Sequence, residues 1–228
     1  MKIGILECGR PPAEMSAHTG HYPDMFMRLL DGRGFTFDTW YVEGMELPVR
    51  PQDADGWLIT GSRHGVYEDH AFLPPLEHLI RDAFAADVPV VGICFGHQVM
   101  AQALGGKVEK FDGGWAVGAQ DYMFDTGPVR LNAWHQDQVV TPPATAQTIA
   151  SNDFCAHAAL LYPGKGFSVQ AHPEYDDSVL QNLIRHRGPG VVPGALLQAA
   201  QAGLGHAESQ GIAERIARFF KQHARVQT

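Results

Sequence analysis

The sequence predicts an α/β fold with a mostly parallel central sheet, and three observations carry that expectation. Val88–Ile93 is a short apolar, β-branched run of the kind buried on both faces of a sheet. A helical pattern follows at once from Gly96, with Val99, Met100, Ala103 and Leu104 on one side and Gly105-Gly106 as its stop. Ahead of both, strand and helix patterns alternate from Lys2 onward, as parallel strands joined by crossover helices do.

In chain order, Lys2–Glu7 reads as the first strand, and Cys8–His21, rich in Gly, Pro and His, as a loop. Pro23–Leu30 has helical spacing. Phe35–Tyr41 is a second strand of alternating character, and Pro48–Asp55 is a polar turn. Gly56–Thr60 is a third, short buried strand ending in Gly61-Ser62. Leu73–Ala86 places Leu76, Leu79, Ile80 and Ala83 at helical spacing ahead of Val88–Ile93. Ligand sites in such sheets gather at the carboxyl ends of the strands, where both Gly61 and Cys94 stand. After Gly105 come short strand patterns cut by Gly and Pro: Lys107–Phe111, Val117–Met123, Val129–Leu131, Gln138–Thr141, Thr148–Ser151, Ala158–Tyr162 and Phe167–Gln170. They read as antiparallel additions and a return to the main sheet. Asp177–His186 is helical, Arg187–Pro193 a loop and Gly194–Ala202 a short helix. Glu208–Arg225 is an amphipathic helix with Ile212, Ile216, Phe219 and Phe220 inward. One domain over 1–228 is expected, with 187–228 as a C-terminal helical extension and no internal repeat.

Composition narrows the function. A chain of 228 residues, 45% of them apolar, has the material for one sizeable core. The formal charge is −8, from 17 basic and 25 acidic residues, and no basic run of five or more occurs, which excludes nucleic acid as the expected partner. Three cysteines (Cys8, Cys94, Cys155) without a C-x-x-C point to a reducing compartment rather than a disulfide framework. The apolar opening Ile3–Leu6 breaks at Glu7, too short for a signal peptide or a membrane span, so a cytoplasmic protein with no membrane partner is expected. No cofactor and no metal are expected: H-E-x-x-H, the Walker A loop and G-x-G-x-x-G are missing from the sequence. His18-Thr-Gly-His21 has no Cys or acidic partner arranged around it.

The chemistry centres on Cys94. It lies in Gly92-Ile-Cys-Phe-Gly96, the G-x-nucleophile-x-G pattern of a strand-to-helix elbow; the alternative is a cysteine buried in a core strand. A free thiol is only a few per cent thiolate at neutral pH, so a nucleophilic Cys94 needs the helix N-terminus and a histidine beside it. Of the 12 histidines, His172 is set apart by its place in Phe167–Glu174, an apolar strand that ends His172-Pro173-Glu174. The proline fixes the backbone, and the carboxylate can hold one ring nitrogen so that the other faces the thiol. On its own the segment also reads as a strand end with a solvated His and Glu.

Gly92-Ile-Cys-Phe-Gly-His-Gln98, together with His172-Pro-Glu174, resembles the class I glutamine amidotransferase domain. Thr60-Gly-Ser62 is similar to that family's oxyanion-strand loop and Ala133-Trp-His-Gln-Asp137 to its His-x-Asp segment. The resemblance covers roughly residues 1–186. It implies a flavodoxin-like three-layer sandwich with Cys94 as the nucleophile attacking a γ-glutamyl amide, His172 as the proton carrier and Glu174 as the group that orients it. It further implies an oxyanion hole from the N–H groups of Gly61 and Phe95, placements that the strand end and helix start also suggest. By the same resemblance Gln98 would hold the α-amino and α-carboxylate end of the substrate. Trp134 and His135 would line the mouth, although His135 and Asp137 could form a rival dyad. Arg63, with His64 and Tyr67, lies on a loop able to contact the leaving group.

Among members, the sequence is similar to free-standing γ-glutamyl peptidases and to the glutaminase domain of GMP synthetase. The chain carries no ATP-binding signature. The expected function is therefore cysteine-dependent hydrolysis of a small-molecule γ-glutamyl amide, through a γ-glutamyl thioester, by an enzyme acting alone. A glutaminase subunit feeding ammonia to a separate synthetase partner is one alternative. A non-catalytic interaction protein on the same fold is the other, and nothing in packing would then require Cys94, His172 and Glu174 together.

Overall fold

Residues 1–223 are described by the structure, a computed structural model. The elements run β1 (Lys2–Glu7), α1 (Ala13–Thr19), α2 (Tyr22–Leu29), β2 (Thr36–Tyr41), β3 (Gly56–Ile59), α3 (Leu73–Ala85), β4 (Val90–Ile93), α4 (Phe95–Ala103) and β5 (Lys107–Lys110). There follow β6 (Ala116–Phe124), β7 (Gly127–His135), β8 (Asp137–Thr141), β9 (Gln147–Ser151), β10 (Ala159–Tyr162), β11 (Gly166–Val169), α5 (Asp177–His186), α6 (Gly194–Ala202) and α7 (Ser209–His223).

A nine-stranded sheet in the order β2-β1-β3-β4-β11-β10-β9-β6-β7 forms the central layer. Its first five strands are parallel and its last four are joined antiparallel, so the expected mixed α/β architecture holds. β5 and β8 depart from the expectation of simple additions: they pair with each other in a separate two-stranded sheet.

Side-chain alternation along the strands feeds a core on each face. On one face Ile3, Ile5, Val91, Ile93 and Phe167 pack with Ile212, Ile216 and Phe220 of α7. On the other, Leu6, Ile59 and Val90 meet Leu76 and Ile80 of α3 and Val99 and Met100 of α4. Each such buried side chain contributes about 1.5–3 kcal/mol. Register decides where the chemistry lies. Ile59 is opposite Gly92 and Val169 opposite Ile93, so the residues that leave β3, β4 and β11 emerge side by side at one edge.

Two further expectations are corrected. The supposed loop Cys8–His21 contains α1, begun by Pro12 and anchored by the fully buried Met15, which packs on Tyr22, Met25, Tyr175 and Val179. So short a helix is marginal alone and exists through that packing. The strand expected at Val129–Leu131 is β7, 9 residues long and paired along its length with β6. Pro128 and Arg130 mask its pattern. The end of the final predicted helix, Arg225, lies outside the described residues. No helix among those described is long and apolar enough to cross a membrane.

Candidate active site

The turn between β4 and α4 places Cys94 at φ 53° and ψ −104°, a positive-φ conformation that a non-glycine residue rarely adopts. Such strain costs about 1–3 kcal/mol and persists where the surroundings impose it. Here the Cys94 N–H donates to Val169 O at 2.9 Å, and the Gln98 N–H donates to Cys94 O at 3.0 Å. The flanking glycines let the backbones close. A Cβ on Gly96 would press on the backbone of Ile59, whose carbonyl carbon lies 3.0 Å away, and one on Gly92 would lie 2.6 Å from Met100 Sδ. The Phe95 N–H belongs to the first turn of α4, where helical carbonyls leave amides unpaired.

Beyond β11 the chain bends at Gln170 and Ala171 and reaches His172, whose N–H donates to Asn132 O at 2.8 Å in a bridge to β7. His172 Nδ1 is 2.7 Å from Glu174 Oε1. The Tyr175 ring stacks on the imidazole, centroids 3.9 Å apart and planes 4° from parallel. His172 and Glu174 are 2% and 5% exposed, so the solvated strand end is excluded. Burial disfavours the imidazolium, but the charges of Cys94 and Glu174 and hydrogen bonds to both outweigh it, and the His172 pKa is pushed up to about 10. Gly61 completes the contact: a Cβ there would lie 3.1 Å from His172 Cε1 and 4.0 Å from Cys94 Cβ.

Two glutamines back the thiol. Gln170 Nε2 approaches Cys94 Sγ at 3.7 Å, and Gln98 Nε2 donates to Gln170 Oε1 at 3.1 Å and to Asp137 O at 2.8 Å. Gln170, Asn132 and Tyr175 escaped the reading of the sequence. Gln170 alone left a signal, as a polar residue two positions before His172 in a largely apolar run. The other cysteines are free and buried. Burial, then the charge of Glu43, drives the Cys8 pKa far up, and burial pushes Cys155 up to about 12.

A cavity of about 200 Å³ opens over Cys94, and Gln98, Arg63, Trp134 and His135 all line it. The Arg63 guanidinium, however, lies on Glu43 at 3.2 Å. Trp134 packs edge-on against Trp115, centroids 6.5 Å apart. The His135–Asp137 dyad does not form. His135 Nδ1 faces the backbone oxygen of Asp137 at 3.3 Å, while the Asp137 carboxylate accepts from Tyr67 OH at 3.0 Å. Burial, reinforced by the charge of His172, lowers the His135 pKa to about 3 and keeps the ring neutral. His97 is equally buried against Ser168 Oγ at 2.8 Å, a structural position.

The arrangement pairs a soft nucleophile on a strained turn with a buried imidazole whose charged form its neighbours favour. Such a pair can attack an acyl carbon and return the proton to a leaving group. The family model described as glutamine amidotransferase class-I matches residues 36–186. Gamma-glutamyl peptidase 4 of Arabidopsis thaliana is 28% identical over 197 residues, which cover 79% of this chain and 78% of that protein. The glutamine-hydrolysing GMP synthase of Tolumonas auensis is 32% identical over 175 residues, 69% of this chain but 32% of that protein. A solved glutamine amido transferase from Methylobacillus flagellatus shares the fold, with a TM-score of 0.76 over 100% of this chain and 96% of that one at 20% identity.

Proposed function

Because the chain belongs to the class-I glutamine amidotransferase family, we propose that it hydrolyses a γ-glutamyl amide bond through a γ-glutamyl thioester on Cys94. The observation that carries this reading is the burial of the His172–Glu174 pair against Cys94, with the imidazolium favoured by both neighbours.

The Cys94 thiolate attacks the amide carbonyl carbon. The negative charge that moves onto oxygen is met by the N–H groups of Gly61 and Phe95, each worth about 3–4 kcal/mol in such a site. His172 gives its proton to the departing nitrogen as the carbon–nitrogen bond breaks, leaving the thioester and free ammonia or amine. Neutral His172 then takes a proton from water as the hydroxyl adds to the thioester, and glutamate leaves with Cys94 restored. Glu174 holds His172 Nδ1 throughout, so that the other ring nitrogen serves the reaction.

Gln98 spends its amide hydrogens on Gln170 and Asp137, which leaves its carbonyl oxygen to accept from the α-amino group of the γ-glutamyl moiety. The cavity is also lined by Lys110, Arg187 and the indoles of Trp115 and Trp134. These suit an amine that itself bears a carboxylate, as a γ-glutamyl peptide supplies, and the likeness to a γ-glutamyl peptidase over most of both chains supports a free-standing enzyme. The likeness to GMP synthase favours a second reading, an ammonia source for a synthetase partner. Glutamate and amine release from the purified chain, with glutamine set against a panel of γ-glutamyl peptides and amides, separates the readings. Faster release from peptides is expected. Activity confined to glutamine and dependent on an added synthetase would replace the first reading with the second.

A further inference from the structure

Past Gly61 the chain makes a tight turn before α3, and that turn gathers His64, Glu68 and His70, the first two at the rim of the cavity. Their ligating atoms all lie within 4.8 Å of one another. His70 Nε2 is 2.7 Å and His64 Nδ1 is 3.9 Å from the same oxygen, Glu68 Oε2. The Gly65 N–H donates to that oxygen at 3.1 Å, and the His64 N–H donates to Ser62 Oγ at 3.2 Å, so the turn is already formed.

Two features lift the trio above a chance meeting of polar side chains. Both imidazoles are set by packing: Phe72, 4% exposed, stacks on His70 at 5.6 Å and 17° and lies 5.7 Å from His64. The other nitrogen of His64 is also engaged, since Nε2 lies 2.9 Å from Glu43 Oε1. A carboxylate acceptor at Nε2 places the proton there and leaves the Nδ1 lone pair aimed at Glu68 and His70. Glu43 is itself held by Arg63 at 3.2 Å and Tyr41 OH at 3.3 Å, which keeps it on the outer side of His64. Carboxylate, imidazole and ion in line is the arrangement by which proteins orient a metal-binding histidine and raise its basicity.

We propose that His64 Nδ1, the Glu68 carboxylate and His70 Nε2 bind one divalent ion of the late first-row transition metals, with zinc as the reference case and Glu43 as the outer partner of His64. Two imidazoles and one carboxylate suit such ions, whereas magnesium and calcium take all-oxygen sets. Three ligands at about 2.0–2.2 Å leave a fourth position for water. Binding sets the ligand atoms roughly 3.3 Å apart, a small adjustment that brings His64 Nδ1 in from 3.9 Å and moves His70 Nε2 out from 2.7 Å of Glu68 Oε2. The site is distinct from Cys94 and His172 and does not depend on the reaction assigned to them.

Cys94 and His172 could themselves capture a soft ion, so the test uses the full chain carrying Cys94→Ala. Zn²⁺ is titrated against a chromophoric chelator after exhaustive removal of bound metal, with Co²⁺ as a spectroscopic probe. One equivalent of Zn²⁺ should bind and raise the unfolding temperature. The Co²⁺ spectrum should show nitrogen and oxygen ligation without a thiolate charge-transfer band. His70→Ala should weaken Zn²⁺ binding by about 100-fold or more, and Glu43→Gln by about 10- to 100-fold through lost orientation of His64. Exposed His78→Ala should change nothing, and far-ultraviolet circular dichroism checks that each variant is folded. If His70→Ala is misfolded, Glu68→Gln serves in its place with the same expected loss. Failure to bind a single equivalent, or binding that survives the ligand substitutions in folded protein, overturns the site.

Discussion

Burial and charge pull His172 in opposite directions, and the charges of Cys94 and Glu174 prevail. The sign follows directly. A histidine whose pKa rises from 6.5 to about 10 on folding favours the native state fully below pH 6.5, and that contribution fades as pH climbs through about 10. Activity that needs the His172 proton should therefore hold through neutrality and fall with an apparent pKa of about 10; a basic limb near 6.5 would speak against the ion pair. Nuclear magnetic resonance titration offers a second check, because Cys94→Ala removes the largest raising influence and should lower the His172 pKa. Among mutants, His172→Ala should cost about 10²-fold or more in turnover, and Glu174→Gln less, since it keeps a hydrogen bond to Nδ1. An electrophilic γ-glutamyl analogue should label Cys94 and spare Cys8 and Cys155, whose thiols burial holds protonated; equal labelling of all three would undo the assignment. At this scale Cys94, His172 and Glu174 were legible because glycines and a proline fix their backbones next to them in sequence. Tyr175 stacking and the Gln98–Gln170 relay were not: no sequence pattern turns the Tyr175 ring back onto His172 three residues earlier, and the relay joins segments far apart in the chain.

Elements explain why the site is rigid. β4 was readable as an apolar run, and α4 as the helix that must follow it, whereas the close approach of Gly96 to Ile59 exists only once β3 lies beside β4. Gly96→Ala should accordingly destabilise the protein by about 1–3 kcal/mol, because the added methyl meets backbone that cannot rotate away. Denaturant unfolding measures this, and an unchanged midpoint would mean that the elbow has slack. α1 escaped the sequence for the opposite reason. It has one large apolar anchor, Met15, and owes its helix to the pocket formed by Tyr22, Met25 and Tyr175. Since Tyr175 also stacks on His172, α1 supports the site from behind.

For the whole molecule, parallel strands bring Gly61, Cys94 and Gln170–His172 to one edge, and the antiparallel half brings Asn132, Trp134 and His135 over it. The α/β class and the place of the candidate site were readable from the alternation of strands and helices, because ligand sites in such sheets gather at the carboxyl ends of parallel strands. The inward face of α7 was legible too, but the part played by residues 187–202 was not. Arg187 reaches the cavity, Ala200 of α6 lies against Gly118 of β6, and α7 fills the core beneath β1 and β11. A site so enclosed by its own chain should turn over a γ-glutamyl peptide at about 1 s⁻¹ or faster without a partner. The most direct test of the central claim is acid quenching of the purified protein during turnover, followed by mass analysis of the peptide that contains Cys94. One γ-glutamyl group, labile to hydroxylamine and lost with Cys94→Ser, is the predicted result. Turnover with no γ-glutamyl adduct on Cys94, or with the adduct on another residue, would contradict the account.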